Sequence, residues 1–206
     1  DNQYTPTKTI EYKQVSGVDP NLLSLDVYHF ENTSIKKPVV VYVHGGAWAI
    51  GDKANSIDNK RNLFESVNYV FVSVNYRLSP ANEEFAADRI KFPVHNNDVE
   101  AQVNDNNITY INAFGTNVND LVAASPVQQI DNSKDYPPFF VAKRGSVTRI
   151  NIAENFIETL TAAGVSVSTV TASQYDHEGI NDAIGAPGET AVTEPLLEFL
   201  ESCFNN

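Results

Sequence analysis

The stretch that most limits what this chain can become is Val39-Val40-Val41-Tyr42-Val43-His44-Gly45-Gly46-Ala47-Trp48. Five strand-forming residues without a charge predict a β-strand at 39–43. The lack of polar alternation predicts that it is buried on both faces. Two glycines follow at once. They let the backbone turn sharply and bring bare N–H groups close to whatever lies beyond the strand end.

The rest of the chain supplies partners for that strand. Residues 8–14 and 22–30 alternate apolar and polar around the turn-rich Ser16-Gly17-Val18-Asp19-Pro20-Asn21, which predicts an antiparallel hairpin at a sheet edge. Residues 55–67 form a helix with Ile57, Leu63, Phe64 and Val67 inward, and 69–76 form a second buried strand. Strand, helix and strand at this spacing make a parallel βαβ unit. Residues 93–114 read as helix interrupted by Asn104-Asp105-Asn106-Asn107, and 116–138 read as loop. A strand at 139–143, a helix at 149–163 stopped by Gly164, and a strand at 165–172 repeat the βαβ pattern. A loop at 175–180 leads to a last helix from Thr193 to Phe204, with Pro195 in its first turn. The expectation is one α/β domain over 1–206: a mainly parallel sheet, helices on both faces, and an N-terminal antiparallel hairpin.

Composition narrows the partners. With 42% hydrophobic and 19% charged residues, the chain is of ordinary globular type. A net charge of -12 argues against nucleic acid and anionic membranes as partners. There is no apolar run long enough to span a membrane, and no signal peptide within the sequence. Cytoplasmic and secreted or periplasmic locations both stay open, because a single cysteine, Cys203, is neutral on compartment. No metal or other cofactor is expected, since the four histidines are far apart and Cys203 has no partner.

Taken in order, His44-Gly45-Gly46-Ala47-Trp48, Asn75-Tyr76-Arg77-Leu78-Ser79-Pro80 and Asp176-His177-Glu178-Gly179-Ile180-Asn181 resemble the esterase/lipase branch of the α/β-hydrolase superfamily, near carboxylesterases and arylformamidase-like enzymes. The resemblance runs over most of residues 8–204. It implies a small-molecule, ester-like ligand. It implies an oxyanion hole made by Gly45, Gly46 and Ala47, with His44 supporting the loop and Trp48 packing over it or lining a pocket. It implies His177 as the catalytic base. Ser125-Pro126 and Tyr136-Pro137-Pro138 resemble the approach to the family's seventh strand.

Two parts of the expected machinery are missing from the sequence. No two of the ten glycines stand four apart around a serine, so the Gly-x-Ser-x-Gly nucleophile turn of that family is absent. Between Asp98-Val99-Glu100-Ala101 and Tyr110-Ile111-Asn112-Ala113-Phe114-Gly115 the family's central strand has no counterpart. The family's acid follows the seventh strand, but Gly145-Ser146-Val147-Thr148-Arg149-Ile150 contains no carboxylate. Asp176 and Asp182 are the remaining candidate acids, and Ser125 is the candidate substitute nucleophile.

The leading expectation is therefore a hydrolase-like protein of esterase descent with little or no activity. One alternative is an active carboxylesterase, with a relocated serine or with the missing segment in a longer chain. Another is a non-catalytic small-molecule binding module. Loss of a central strand is expected to close the sheet up or to leave the edge of strand 69–76 open, inviting a homodimer through that edge.

Overall fold

The computed structural model describes residues 6–29, 36–79 and 116–204. Alternating residues make β1 (Lys8–Glu11) and β2 (Ser24–Tyr28), an antiparallel pair with Ile10 opposite Leu25. Between them Asp19 accepts the Asn21 N–H and opens a single 3-10 turn, Pro20–Leu23. The apolar run forms β3 (Val39–Val43), followed by α1 (Asp58–Ser66) and β4 (Val70–Val74). β3 and β4 are parallel, with Val39 opposite Val70, while β4 also pairs antiparallel with β2. The first sheet therefore has the order β1-β2-β4-β3.

The second half contributes α2 (Val118–Ala124), β5 (Phe139–Lys143), α3 (Val147–Ala162) and β6 (Val167–Thr171). β5 and β6 form a separate parallel pair, with Phe139 opposite Val167. The short helix α4 (Gly179–Ala183) and the final helix α5 (Thr193–Phe204) follow. The class is α/β with a hairpin at one edge, as the patterning predicts.

Four local expectations need correction. β3 is not buried on both faces, because Val39, Val41 and Val43 are 52%, 59% and 59% exposed. It is the last strand of its sheet among the described residues, and only Val40 and Tyr42 face the core. The edge of β4 is not open either, since β2 and β3 occupy both sides of it. Residues 116–138 are not all loop: Asn117 caps α2 by accepting the Asn119 N–H. The 175–180 segment likewise runs into α4. The helix expected at 93–114, with His95 and Asp98, lies outside the described residues, as does Pro80.

The main core is aromatic. Phe71 of β4, 1% exposed, lies 5.6 Å from Phe64 of α1, 6.0 Å from Tyr28 of β2 and 6.1 Å from Tyr42 of β3 (ring centroids). Leu196 and Leu200 of α5 pack against this cluster, and Phe199 of the same helix meets Phe140 of β5 at 5.7 Å. α5 thus fastens the two sheets together, which its apolar residues at three- and four-residue spacing allow.

A polar network runs beside this core. The buried Lys53 ammonium donates to Asp26 Oδ1 at 3.0 Å and to Ser24 Oγ at 2.7 Å. Asn75, with no exposed surface, accepts the Lys53 backbone N–H at 2.6 Å and donates to Asp52 at 2.9 Å. Burial alone would raise the Asp52 carboxyl, but the hydrogen bonds from Asn75, Ala54 and Asn21 outweigh it and hold the group below its ordinary range.

Removing one member of the Lys53–Asp26 pair strands a buried charge. Asp26→Ala is expected to cost about 3–5 kcal/mol of unfolding free energy, whereas Asp26→Leu with Lys53→Met costs far less. Urea denaturation of the three proteins measures the difference.

Candidate functional site

The C-terminal end of β3 opens into the glycine loop. Gly46 has φ 125°, and a Cβ there would fall on the Ile50 carbonyl. The loop closes on itself through the Ala49 and Ile50 N–H groups, both donating to Gly46 O at 3.0 Å. Ala47 and Trp48 are both left-handed, with φ 49° and 62°. Non-glycine residues in that region cost on the order of 1 kcal/mol or more each, a strain found chiefly where backbone geometry serves a site. Among the described residues, no protein acceptor takes the N–H of Gly46 or Ala47. Gly45 needs no special conformation, but a side chain there would meet only open space.

His44 props this loop from beneath. It is 5% exposed and stacks on Tyr76 at 4.5 Å, and Tyr76 Oη donates to the His44 carbonyl. Its Nδ1 contacts the Gly45 carbonyl at 2.7 Å. A carbonyl only accepts, so that contact assigns the proton to Nδ1. Nε2 is then a buried acceptor with no partner among the described residues. Gly51 is required because a Cβ there would strike the His44 ring.

A cavity of about 850 Å³ lies at the C-terminal ends of β3 and β5. This is the crevice where open α/β sheets bind ligands. Gly45, Gly46, Ser125 and His177 all line it, so four of the residues singled out in the sequence share one space. Ala47, Trp48, Asp176 and Asp182 are not part of its lining. Trp48 is half-buried and its carbonyl accepts the Ser79 N–H at 2.7 Å. Asp176 spends one carboxylate oxygen on the Gly179 N–H at 2.7 Å.

Ser125 and His177 share the cavity but, among the described residues, are not hydrogen-bonded to each other. Ser125 is fully buried at the end of α2, and its hydroxyl has no hydrogen-bond partner among the described residues. His177 is exposed, and among the described residues neither Asp176 nor Asp182 bonds its ring. No group of three His, Cys, Asp or Glu side chains among the described residues could hold a metal ion. No described helix is long and apolar enough to cross a membrane.

Several site residues escape a reading of sequence alone. Tyr42 Oη donates to Asn181 Oδ1 at 3.1 Å, and burial raises its phenol above the ordinary range. Lys60 of α1, 1% exposed, donates to Asn181 O at 2.7 Å and Ser56 O at 2.9 Å and lies 5.1 Å over the Tyr42 ring. These bonds clamp the segment after His177 onto α1 and β3. The tyrosine interrupting the valine run was a visible signal; a lysine on the buried face of α1 was not. Arg144 and Arg149, which flank the turn between β5 and α3, line the opposite wall.

The comparisons with known proteins agree with this architecture. Esterase B from Lactobacillus rhamnosus HN001 superposes with a TM-score of 0.65 at 15% identity, over 95% of this chain and 84% of the other. Thermogutta terrifontis esterase 2, solved with propionate bound, gives a TM-score of 0.62 at 16% identity, over 95% and 92%. A thermostable esterase from Pseudomonas putida ECU1011 gives 0.57 at 18% identity, over 84% and 78%. The chain therefore has the α/β-hydrolase fold, in reduced form. Within it, residues 25–104 match the BD-FAE family model. No curated protein sequence matches the chain.

Burial pushes the Lys60 ammonium down to about 8, against a smaller opposing pull from Asp182. Between about pH 8 and the ordinary lysine value of 10.5, the unfolded chain holds a proton that the folded chain has lost. Unfolding free energy contributed by this site therefore rises with pH across that window and is lost as pH falls back through 8. Wild type is expected to gain stability relative to Lys60→Met between pH 7 and pH 10, read from paired denaturation curves.

Proposed function

We propose that this chain is a protein of carboxylic-ester hydrolase descent that binds a small ester-like molecule, or the acid derived from it, in the β3–β5 cavity, with little or no turnover. The observation that carries this reading is the condition of the cavity. Among the described residues it has an oxyanion-type loop with free N–H groups, but no nucleophile hydrogen-bonded to a base. Among the described residues Ser125 is sealed and unpartnered and no carboxylate bonds His177, and no Gly-x-Ser-x-Gly turn occurs in the sequence. Donors aimed at an oxyanion accelerate nothing unless something forms that oxyanion, yet they still favour a carbonyl or carboxylate oxygen. The fold neighbours are esterases, one of them solved holding a carboxylate.

A second reading, an active esterase using Ser125, draws support from the fact that Ser125 and His177 line the same cavity. Apo enzymes can hold catalytic groups loosely and tighten them on binding. In this reading Ser125 attacks, His177 takes its proton, and the Gly46 N–H receives the developing oxyanion.

The two readings part on turnover. Ethyl butyrate is expected to raise the melting temperature in a concentration-dependent way. Hydrolysis of p-nitrophenyl acetate is expected to stay near the uncatalysed rate and to be unchanged in His177→Ala. Fast hydrolysis that disappears in His177→Ala, with a fluorophosphonate adduct on Ser125, would establish the second reading instead.

A further inference from the structure

The wall of the cavity formed by β5 and α3 has the wrong charge for an acid-bearing active-site turn and the right charge for an anionic ligand. The resemblance places a carboxylate just after Gly145; the chain places Arg144 before it and Arg149 after it, and the first turn of α3 contains no acidic residue. Both arginines line the cavity, in a protein of net charge -12. A third cation on this wall, Lys143, is already neutralised by Glu154 at 2.7 Å. Among the described residues neither Arg144 nor Arg149 is in a salt bridge, and Arg144 Nε is buried without a hydrogen-bond partner. The Arg149 chain lies across Gly145, where a Cβ would stand 3.3 Å from its Cδ. Besides these three cations, the lining includes His177 and Glu178 of the loop before α4.

Two unpaired guanidinium groups beside a helix N-terminus are a strong site for a carboxylate. Their planar donors match it in pairs, and the helix end adds positive potential. The rest of the β5–α3 wall is apolar, with Val141, Ile152, Ala153 and Phe156. That stretch suits a short alkyl chain.

We propose that Arg144 and Arg149 form an anion subsite, so that the ligand is a short aliphatic half-ester: its ester end at Gly45 and Gly46, its free carboxylate on the two arginines. This rests on the reading of the cavity as an ester-binding site.

The experiment is calorimetric titration of wild type and of Arg144→Gln/Arg149→Gln with monoethyl adipate and with the uncharged diethyl adipate. Wild type is expected to bind the half-ester about tenfold or more tightly than the diester. The double variant should lose that preference, bind the diester as wild type does, and keep the wild-type melting temperature. Equal binding of both ligands by wild type would overturn the anion subsite and leave the ester-binding reading standing. A preference that survives in the double variant would overturn the assignment to these two arginines. Failure of wild type to bind either ligand would overturn the ester-binding reading and the subsite with it.

Discussion

The glycine loop depends on a side chain outside it. Asn75 ends β4 with its amide fully buried, and its oxygen fixes the backbone of Lys53 while its nitrogen holds the Asp52 carboxylate. Lys53 in turn reaches Asp26 of β2, and Ser73 Oγ donates to the Lys53 carbonyl at 2.6 Å. The segment after Gly51 is thereby tied to two adjacent strands of the sheet. Gly51 is pressed against His44 by that tie, and His44 carries the turn at Gly45 and Gly46. The exposed N–H groups of the loop are held by buried polar contacts reaching back to two strands. A buried polar network of this kind specifies one geometry where an apolar contact would tolerate several.

The sequence made the periodic parts of this legible. Both βαβ units, the hairpin and the final helix follow from spacing, and capping refines their ends: Ser146 accepts the Arg149 N–H and starts α3 at Val147, two residues before the start at 149 that the spacing predicts. What spacing could not supply was context. The valines of β3 read as doubly buried because hydrophobicity reports preference, not neighbours; Val39, Val41 and Val43 share the face of the strand that stays exposed. α2 was missed because seven residues give too short a period to stand out, although Asn117 marked its start.

The site was half legible for the same reason. Motif residues such as Gly45, Gly46 and His177 announce themselves by order in the chain. Lys53 and Lys60 do not, since lysine is rarely buried and nothing local says that carbonyls and a carboxylate will meet it. Arg144 and Arg149 carried a signal that was read only as an absence, a turn without its acid. The position of the cavity gives that absence a positive content.

The Lys60 and Tyr42 contacts to Asn181 also set an order of assembly. The partners in these bonds are 121 and 139 positions apart along the chain. Closing so large a loop is slow compared with forming the hairpin or a βαβ unit. The four-stranded sheet can form from nearby contacts, whereas the wall of the cavity nearest His177 waits for a distant segment to arrive. In kinetic terms the strand pairings of the first sheet close shorter loops than the pocket wall does, and the C-terminal part of the chain that completes the pocket also brings Leu196 and Leu200 onto the core.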